Sequence, residues 1–201
     1  MKQVHEIEHA FLGGHGYLEV ICGPMFSGKT EELIRRVRRF QYAKMEVVVF
    51  KPHLDTRYEK NLVISHSLQE VQSVCVQGPL DIKEYLKNSK TEIKVVALDE
   101  AQFFSEDIVD LAEELVQKGI RVIAAGLNQD YLARPFGAMP KLLSNADFIT
   151  KLLAICMKCG NLASKTQRIV PSAFPTLLNP VLIGGSSQYE ARCRNCYEGK
   201  I

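Results

Sequence analysis

Apolar residues along roughly the first 150 positions come in short, unbroken runs separated by amphipathic stretches. The runs YLEVIC (17–22), EVVVFKP (46–52), EVQSVCV (70–76), IKVVALDE (93–100) and IRVIAAGL (120–127) read as strands, with FITKLLAIC (148–156) as the last. Between them, 29–43 carries Leu33, Ile34, Val37 and Phe40 at helical spacing. Residues 79–88 open on a proline at a helix N-terminus, and 105–119 is amphipathic, with Ser105 as the expected N-cap and Gly119 at C′. Runs that are continuous rather than alternating belong to strands covered on both faces. With helices between them they predict a mainly parallel α/β sheet flanked by helices. After Cys156 the pattern breaks into prolines, glycines and short polar pieces with no long helical period. The expected organisation is a flexible N-terminal extension (1–15), an α/β domain (16–153) and a small C-terminal domain (154–201).

The 201 residues suit one medium domain with an appendage. A net charge of +2 gives no global reason to bind nucleic acid or an anionic membrane. No apolar run approaches the ~20 residues that span a bilayer. The polar, glycine-broken start MKQVHEIEHAFLGGHG lacks the apolar core of a signal peptide, so the expectation is a cytosolic protein. The run RRVRR (35–39) is the most basic stretch; on a helix it is expected to spread over a solvated or subunit-contact face.

Chemistry first enters at Gly23-Pro24-Met25-Phe26-Ser27-Gly28-Lys29-Thr30, a full match to G-x-x-x-x-G-K-[ST] between a strand and a helix. Glycines let the backbone curl so that N–H groups meet phosphate oxygens, and the helix N-terminus adds partial positive charge. Lys29 suits the β/γ-phosphates, and Thr30 offers a hydroxyl to Mg²⁺. The strand VVALDE ends on Asp99, where a second Mg²⁺ carboxylate belongs, followed by Glu100, placed for general-base work. Glu100 alone does not say whether the base acts on water or on a substrate hydroxyl.

The six cysteines divide into two kinds. Cys22 and Cys75 lie within apolar runs and read as core. Cys156, Cys159, Cys193 and Cys196 form two C-x-x-C pairs, and no histidine follows His66. In a cytosolic chain this reads as structural Zn²⁺ held by four thiolates, tying together the two ends of residues 160–192.

These motifs together resemble the type II, zinc-containing thymidine kinases, over nearly the whole chain from about Gly16 to Cys196. The resemblance rests on GPMFSGKT, KPHLDTRY, VVALDEAQFF, GLNQDYLAR with PFGAMPKLL, ICMKCG, TQR and VLIGGSSQYEARCRNC. It implies a P-loop NTPase-like fold with a zinc-binding lasso, and ATP-dependent phosphorylation of the thymidine 5′-hydroxyl, with feedback inhibition by thymidine triphosphate. A homotetramer is implied, with neither nucleic acid nor membrane as partner. Glu100 is implied as the base. The loop residues 23–30 with Arg57, Asp99, Glu100, Ala101 and Gln102 would serve ATP, and Asp55 would help fix the Arg57 segment. Met25, Phe103, Leu127, Tyr131, Phe136, Thr166 and Tyr189 would line the nucleoside site, closed by lasso backbone at Pro180, Val181, Leu182, Ile183 and Gly184. Asn128, Tyr131 and Arg134 depart from residues common in the family. Two other classes remain open on the residues alone: a P-loop ATPase coupled to a zinc nucleic-acid module, and a nucleotide-binding assembly protein without turnover.

Overall fold

In the computed structural model, residues 15–53, 62–64, 70–169 and 188–199 are described. β1 (Leu18–Cys22) runs through the phosphate loop into α1 (Lys29–Tyr42), followed by β2 (Val47–Pro52). The short antiparallel pair β3 (Leu62–Ile64) and β4 (Glu70–Gln72) precedes β5 (Val74–Val76) and α2 (Pro79–Asn88). Next come β6 (Val95–Leu98), a 3-10 turn over Ala101–Phe103, α3 (Asp107–Gln117) and β7 (Arg121–Gly126). α4 (Met139–Asn145) and β8 (Phe148–Lys151) complete this part. The C-terminal part is built from β9 (Ala154–Ile155), β10 (Leu162–Ala163), β11 (Lys165–Arg168) and β12 (Tyr189–Arg192).

Six strands form one sheet in the order β5-β2-β6-β7-β1-β8, and every neighbouring pair is parallel. The predicted parallel α/β sheet is therefore present. All six strands point their C-terminal ends to one edge, where ligands bind in open α/β sheets. β7 separates the phosphate-loop strand β1 from the acidic strand β6. Strand alternation splits the core in two. Val20, Val48, Phe50, Val96, Leu98 and Ala124 face α3 and α4. Ile21, Val49, Val95, Ala97 and Ile123 pack on Leu33, Ile34, Val37 and Phe40 of α1, the four residues picked out by helical spacing.

Several local expectations are corrected. The predicted strand 70–76 breaks at Ser73: Glu70–Gln72 pairs with β3, while Val74–Val76 joins the main sheet. The predicted strand 148–156 likewise divides between β8, on the sheet, and β9, in the C-terminal part. Ser105 is not the N-cap of α3. Its carbonyl, not its hydroxyl, takes the Ile108 N–H at 3.1 Å, and no side chain caps this helix. Gly119 is placed as expected: with φ 79°, it closes a Schellman motif in which Ile120 N donates to Leu115 O and Gly119 N to Val116 O, both at 2.9 Å. Cys22 is buried as expected, whereas Cys75 is half-exposed.

The RRVRR reading also changes. Arg36 is buried rather than solvated, and it pairs with the buried Glu19 of β1. It donates further to Glu32 Oε1 (2.7 Å) and Thr150 Oγ1 (2.8 Å). Burial pushes the Glu19 carboxyl above its ordinary range against the opposing pull of Arg36. At Glu32 burial also raises, but hydrogen bonds from Arg35 and Arg36 outweigh it and hold the carboxyl low. The network bolts the helix carrying the phosphate loop to the two strands at that end of the sheet.

Candidate active site

The phosphate loop leaves β1 at Gly23, where space is short: a Cβ there would lie 2.6 Å from Leu152 O and 2.7 Å from Ser27 Oγ. Gly28 occupies the N-cap of α1 at φ 81° with no side-chain cap, so no side chain competes for the first-turn N–H groups. Ser27 Oγ and Lys29 Nζ both donate to Pro24 O, at 2.9 and 2.8 Å, which closes the loop and holds the ammonium over it. Thr30 follows in the first turn. Phe26 also has positive φ (65°), costly for a residue with a Cβ. Its ring packs against a small core of Ala154, Cys156, Ala163, Ala191 and Cys193 in the C-terminal part. The neighbouring Met25 N donates to Thr166 Oγ1 at 3.0 Å. The phosphate loop is thus attached to the C-terminal module by two consecutive residues.

Asp99 and Glu100 lie just past β6. The register pairs Phe50 with Leu98, and Asp99 N donates to Phe50 O at 2.9 Å. Val95 and Ala97 face α1, so alternation directs the buried Asp99 to the same side, with Lys51 following Val49 on β2. Lys51 is 1% exposed; it heads the KPHLDTRY motif but was given no role from the sequence. Glu100 itself adopts the left-handed conformation (φ 50°, ψ 44°) and is half-buried. Its Oε2 accepts from Gln102 Nε2 at 2.5 Å, and Gln102 Oε1 accepts from Leu127 N at 2.9 Å. Ala101 is wholly buried beneath.

The loop after β7 lies against this turn. A Cβ on Gly126 would fall 2.6 Å from Gln102 Oε1, and one on Gly137 2.0 Å from Gln102 O. Phe103 and Phe136, both half-buried, meet edge to face with centroids 5.7 Å apart. Asp130 organises the loop by accepting from Leu132 N, Arg134 N and Arg134 Nε at 2.8–2.9 Å. The cation at Arg134, a departure from the family, thereby gains a partner within its own loop. Tyr131 O accepts from Tyr197 OH at 2.8 Å, and the Arg168 guanidinium lies 5.5 Å from the Tyr131 ring centre. Lys165 Nζ donates to Gln129 Oε1 at 2.8 Å. Tyr197, Arg168, Lys165 and Asp130 were not singled out from the sequence. Asp130 and Arg168 lie inside GLNQDYLAR and TQR, and Lys165 and Tyr197 directly beside TQR and the last cysteine, so motif adjacency was the signal that could have drawn notice.

In the module, the ligand atoms of Cys156, Cys159, Cys193 and Cys196 all lie within 4.8 Å of one another, and Cys159 and Cys193 sulfurs are 3.7 Å apart. A tetrahedral zinc with bonds of about 2.3 Å needs sulfurs about 3.8 Å apart. The four cysteines can hold a structural zinc. Two tight turns, closed by Gly160 N to Cys156 O (2.8 Å) and Cys196 N to Cys193 O (3.2 Å), present the pairs. Burial opposes ionisation of Cys156, but N–H donors of Cys193, Lys158 and Cys159 outweigh it and bring the thiol down to about 6. Sulfur contacts from Cys159 and Cys193 first, then burial, push Cys196 up to about 12. β11 and β12 pair antiparallel, and Ile169 N donates to Gln188 O at 2.9 Å, bringing together the two ends of residues 170–187. Thr166 and Tyr189 are both buried on this pair. Asp55, Arg57 and the five lasso positions 180–184 lie outside the described residues.

A glycine-and-lysine phosphate loop on a parallel sheet, with an acidic turn one strand beyond its neighbour, defines a P-loop α/β protein carrying an appended four-cysteine module. Solved structures similar to this chain include three at low identity. These are the flagellar accessory protein FlaH from Methanocaldococcus jannaschii (12% identity, TM-score 0.49, 78% of this chain and 80% of that one), domain III of the Thermotoga maritima replication initiation protein DnaA (14%, 0.43, 74% and 60%) and the Legionella pneumophila ATPase DotB (14%, 0.43, 70% and 37%). None bears on activity at that distance. A model of the thymidine kinase family, in contrast, matches residues 16–197. The chain belongs to the thymidine kinase family and is a phosphotransferase.

Proposed function

We propose that this chain transfers the γ-phosphoryl group of ATP to the 5′-hydroxyl of thymidine, forming thymidine monophosphate for DNA-precursor salvage. The supporting observation is the Met25–Thr166 hydrogen bond. It sets a residue of the phosphate loop against the module that carries Thr166 and Tyr189, which supports a reading in which one loop serves both substrates. An ATPase acting on water has no need of such a second wall.

In this reading Lys29 and the loop N–H groups hold the phosphates of ATP, with Arg57 nearby on a segment steadied by Asp55. Thr30 and Asp99 supply hard oxygen ligands of the kind Mg²⁺ prefers. Bound there, Mg²⁺ would neutralise charge on the phosphate oxygens. Glu100 accepts the proton of the 5′-hydroxyl as the new O5′–Pγ bond forms and the bond from Pγ to the bridging oxygen breaks, releasing ADP. Phe103, Phe136, Leu127, Tyr131 and Met25 contact the flat base and sugar. Backbone groups of residues 180–184, on a lasso fastened by the zinc site, close over the pyrimidine and keep water from the reacting phosphoryl group. The division at residues 153–154 separates catalytic domain from lasso. Thymidine triphosphate acts as feedback inhibitor by taking the nucleoside site, and the protein works as a cytoplasmic homotetramer. No helix among the described residues is long and apolar enough to cross a membrane.

Glu100→Gln keeps shape and removes the base. It is expected to lower kcat for thymidine by about two to four decades with little change in ATP affinity. An unchanged rate in that variant would remove Glu100 from the chemistry. A light-scattering mass of one chain would remove the tetramer.

A further inference from the structure

We propose that Gln102 is the positioning residue of the catalytic base: its amide holds the Glu100 carboxylate by Oε2 and so fixes that side chain on its turn. The inference rests on the kinase reading above, and it moves Gln102 from nucleotide binding to a role directed at Glu100.

Both ends of the Gln102 amide are spent inside the protein. Nε2 donates to Glu100 Oε2 at 2.5 Å, and Oε1 accepts from Leu127 N at 2.9 Å. The side chain is 3% exposed, and its surroundings leave it one place. Gly126 has no room for a Cβ because Gln102 Oε1 would be 2.6 Å from it, and Gly137 has none because Gln102 O would be 2.0 Å away. The Leu127 N–H also decides the orientation of the amide: it can only face an acceptor, so the oxygen points to β7 and the NH₂ to Glu100. Glu100 needs such a hold. It stands on a single left-handed residue between β6 and the 3-10 turn, a conformation that costs about 1–3 kcal/mol and persists only when neighbours enforce it. A base whose carboxylate swings freely loses the alignment on which proton transfer depends.

Two substitutions separate holding from folding. Gln102→Met keeps the length of the side chain and removes both donor and acceptor. Gln102→Asn keeps the amide but shortens its reach to Glu100. Turnover is read with thymidine and ATP, and the contact itself by the Gln102 side-chain NH₂ resonance in ¹H–¹⁵N NMR, which should shift in Glu100→Ala. In both Gln102 variants kcat is expected to fall about 10- to 100-fold, with KM for thymidine and ATP little changed. Gln102→Asn should melt close to the parent, so that it reports on the base even if Gln102→Met fails to fold. An unmoved Gln102 NH₂ resonance in Glu100→Ala overturns the proposal, as does a parental kcat with a raised thymidine or ATP KM, which would return Gln102 to substrate binding. A parent protein that makes no thymidine monophosphate sinks the kinase reading alone, while the NH₂ resonance still decides the contact.

Discussion

At the residue scale, two of the four non-glycine residues with positive φ among the described residues sit at the candidate site. Glu100 and Phe26 have left-handed backbones without being glycine, and each has an external hold: Gln102 for the first, the module core for the second. Phe26 read in sequence as filler between the phosphate-loop glycines, because a motif defines its own ligands but not the packing of the residues between them. Phe26→Ala is expected to lower ATP affinity about tenfold and to lower the melting temperature, as the truncation removes the anchor and leaves a gap in the small core. Calorimetric ATP titration checks it. Tyr17 tests the other part of the molecule. Burial, and next the Glu19 carboxylate, push its phenol up to about 12, and its hydroxyl has no hydrogen-bond partner among the described residues. A folded-state pKa above the unfolded value means stability held below pH ~10 and lost as pH rises toward 12. Tyr17→Phe should be neutral or slightly stabilising at pH 7. It should also remove an alkaline loss of roughly 1–3 kcal/mol between pH 10 and 12, measurable by urea melts at those pH values.

At the scale of elements, the sheet edge organises everything. The α1 face was legible because Leu33, Ile34, Val37 and Phe40 repeat at helical spacing, and the buried strands because their runs are continuously apolar. Two predicted strands divided at Ser73 and at residues 152–153, where the chain passes from one sheet to another; periodicity records which face is buried but not against which partner. α4 and the module strands β10, β11 and β12 were not anticipated. α4 carries two prolines' worth of loop signal around it (Pro135, Pro140), and strands of two to four residues are too short to show a period. The P-loop, Asp99, Glu100 and the cysteines were visible as motifs. The contacts made by Gln102, Asp130, Lys165 and Tyr197 were not: Gln102 was read as an ATP contact, and single polar residues announce no partner. Gly137 joins two of these elements, with φ 51° and no room beside Gln102. Gly137→Ala is expected to cost at least about 1–3 kcal/mol and to depress kcat by displacing the turn that bears Glu100. Parental stability and activity in that variant would show that the two loops are not in register as described.

For the whole molecule, the zinc-competent module is more than a lid fastening. It holds the phosphate loop through Phe26 and Met25, and the loop after β7 through Tyr197 and Lys165. Removing metal, by chelation or by Cys159→Ser, is therefore expected to lower the melting temperature and to weaken ATP as well as nucleoside binding. A module serving only as lasso anchor would affect nucleoside binding alone. The central claim, that the phosphate loop, Glu100 and the module form one site for phosphoryl transfer to a nucleoside, is tested most directly by turnover with γ-labelled ATP and thymidine. Label should appear in thymidine monophosphate rather than free phosphate, and Glu100→Gln should suppress it by two to four decades. Release of labelled phosphate without any labelled nucleotide, or release that rises with added nucleic acid, would contradict it.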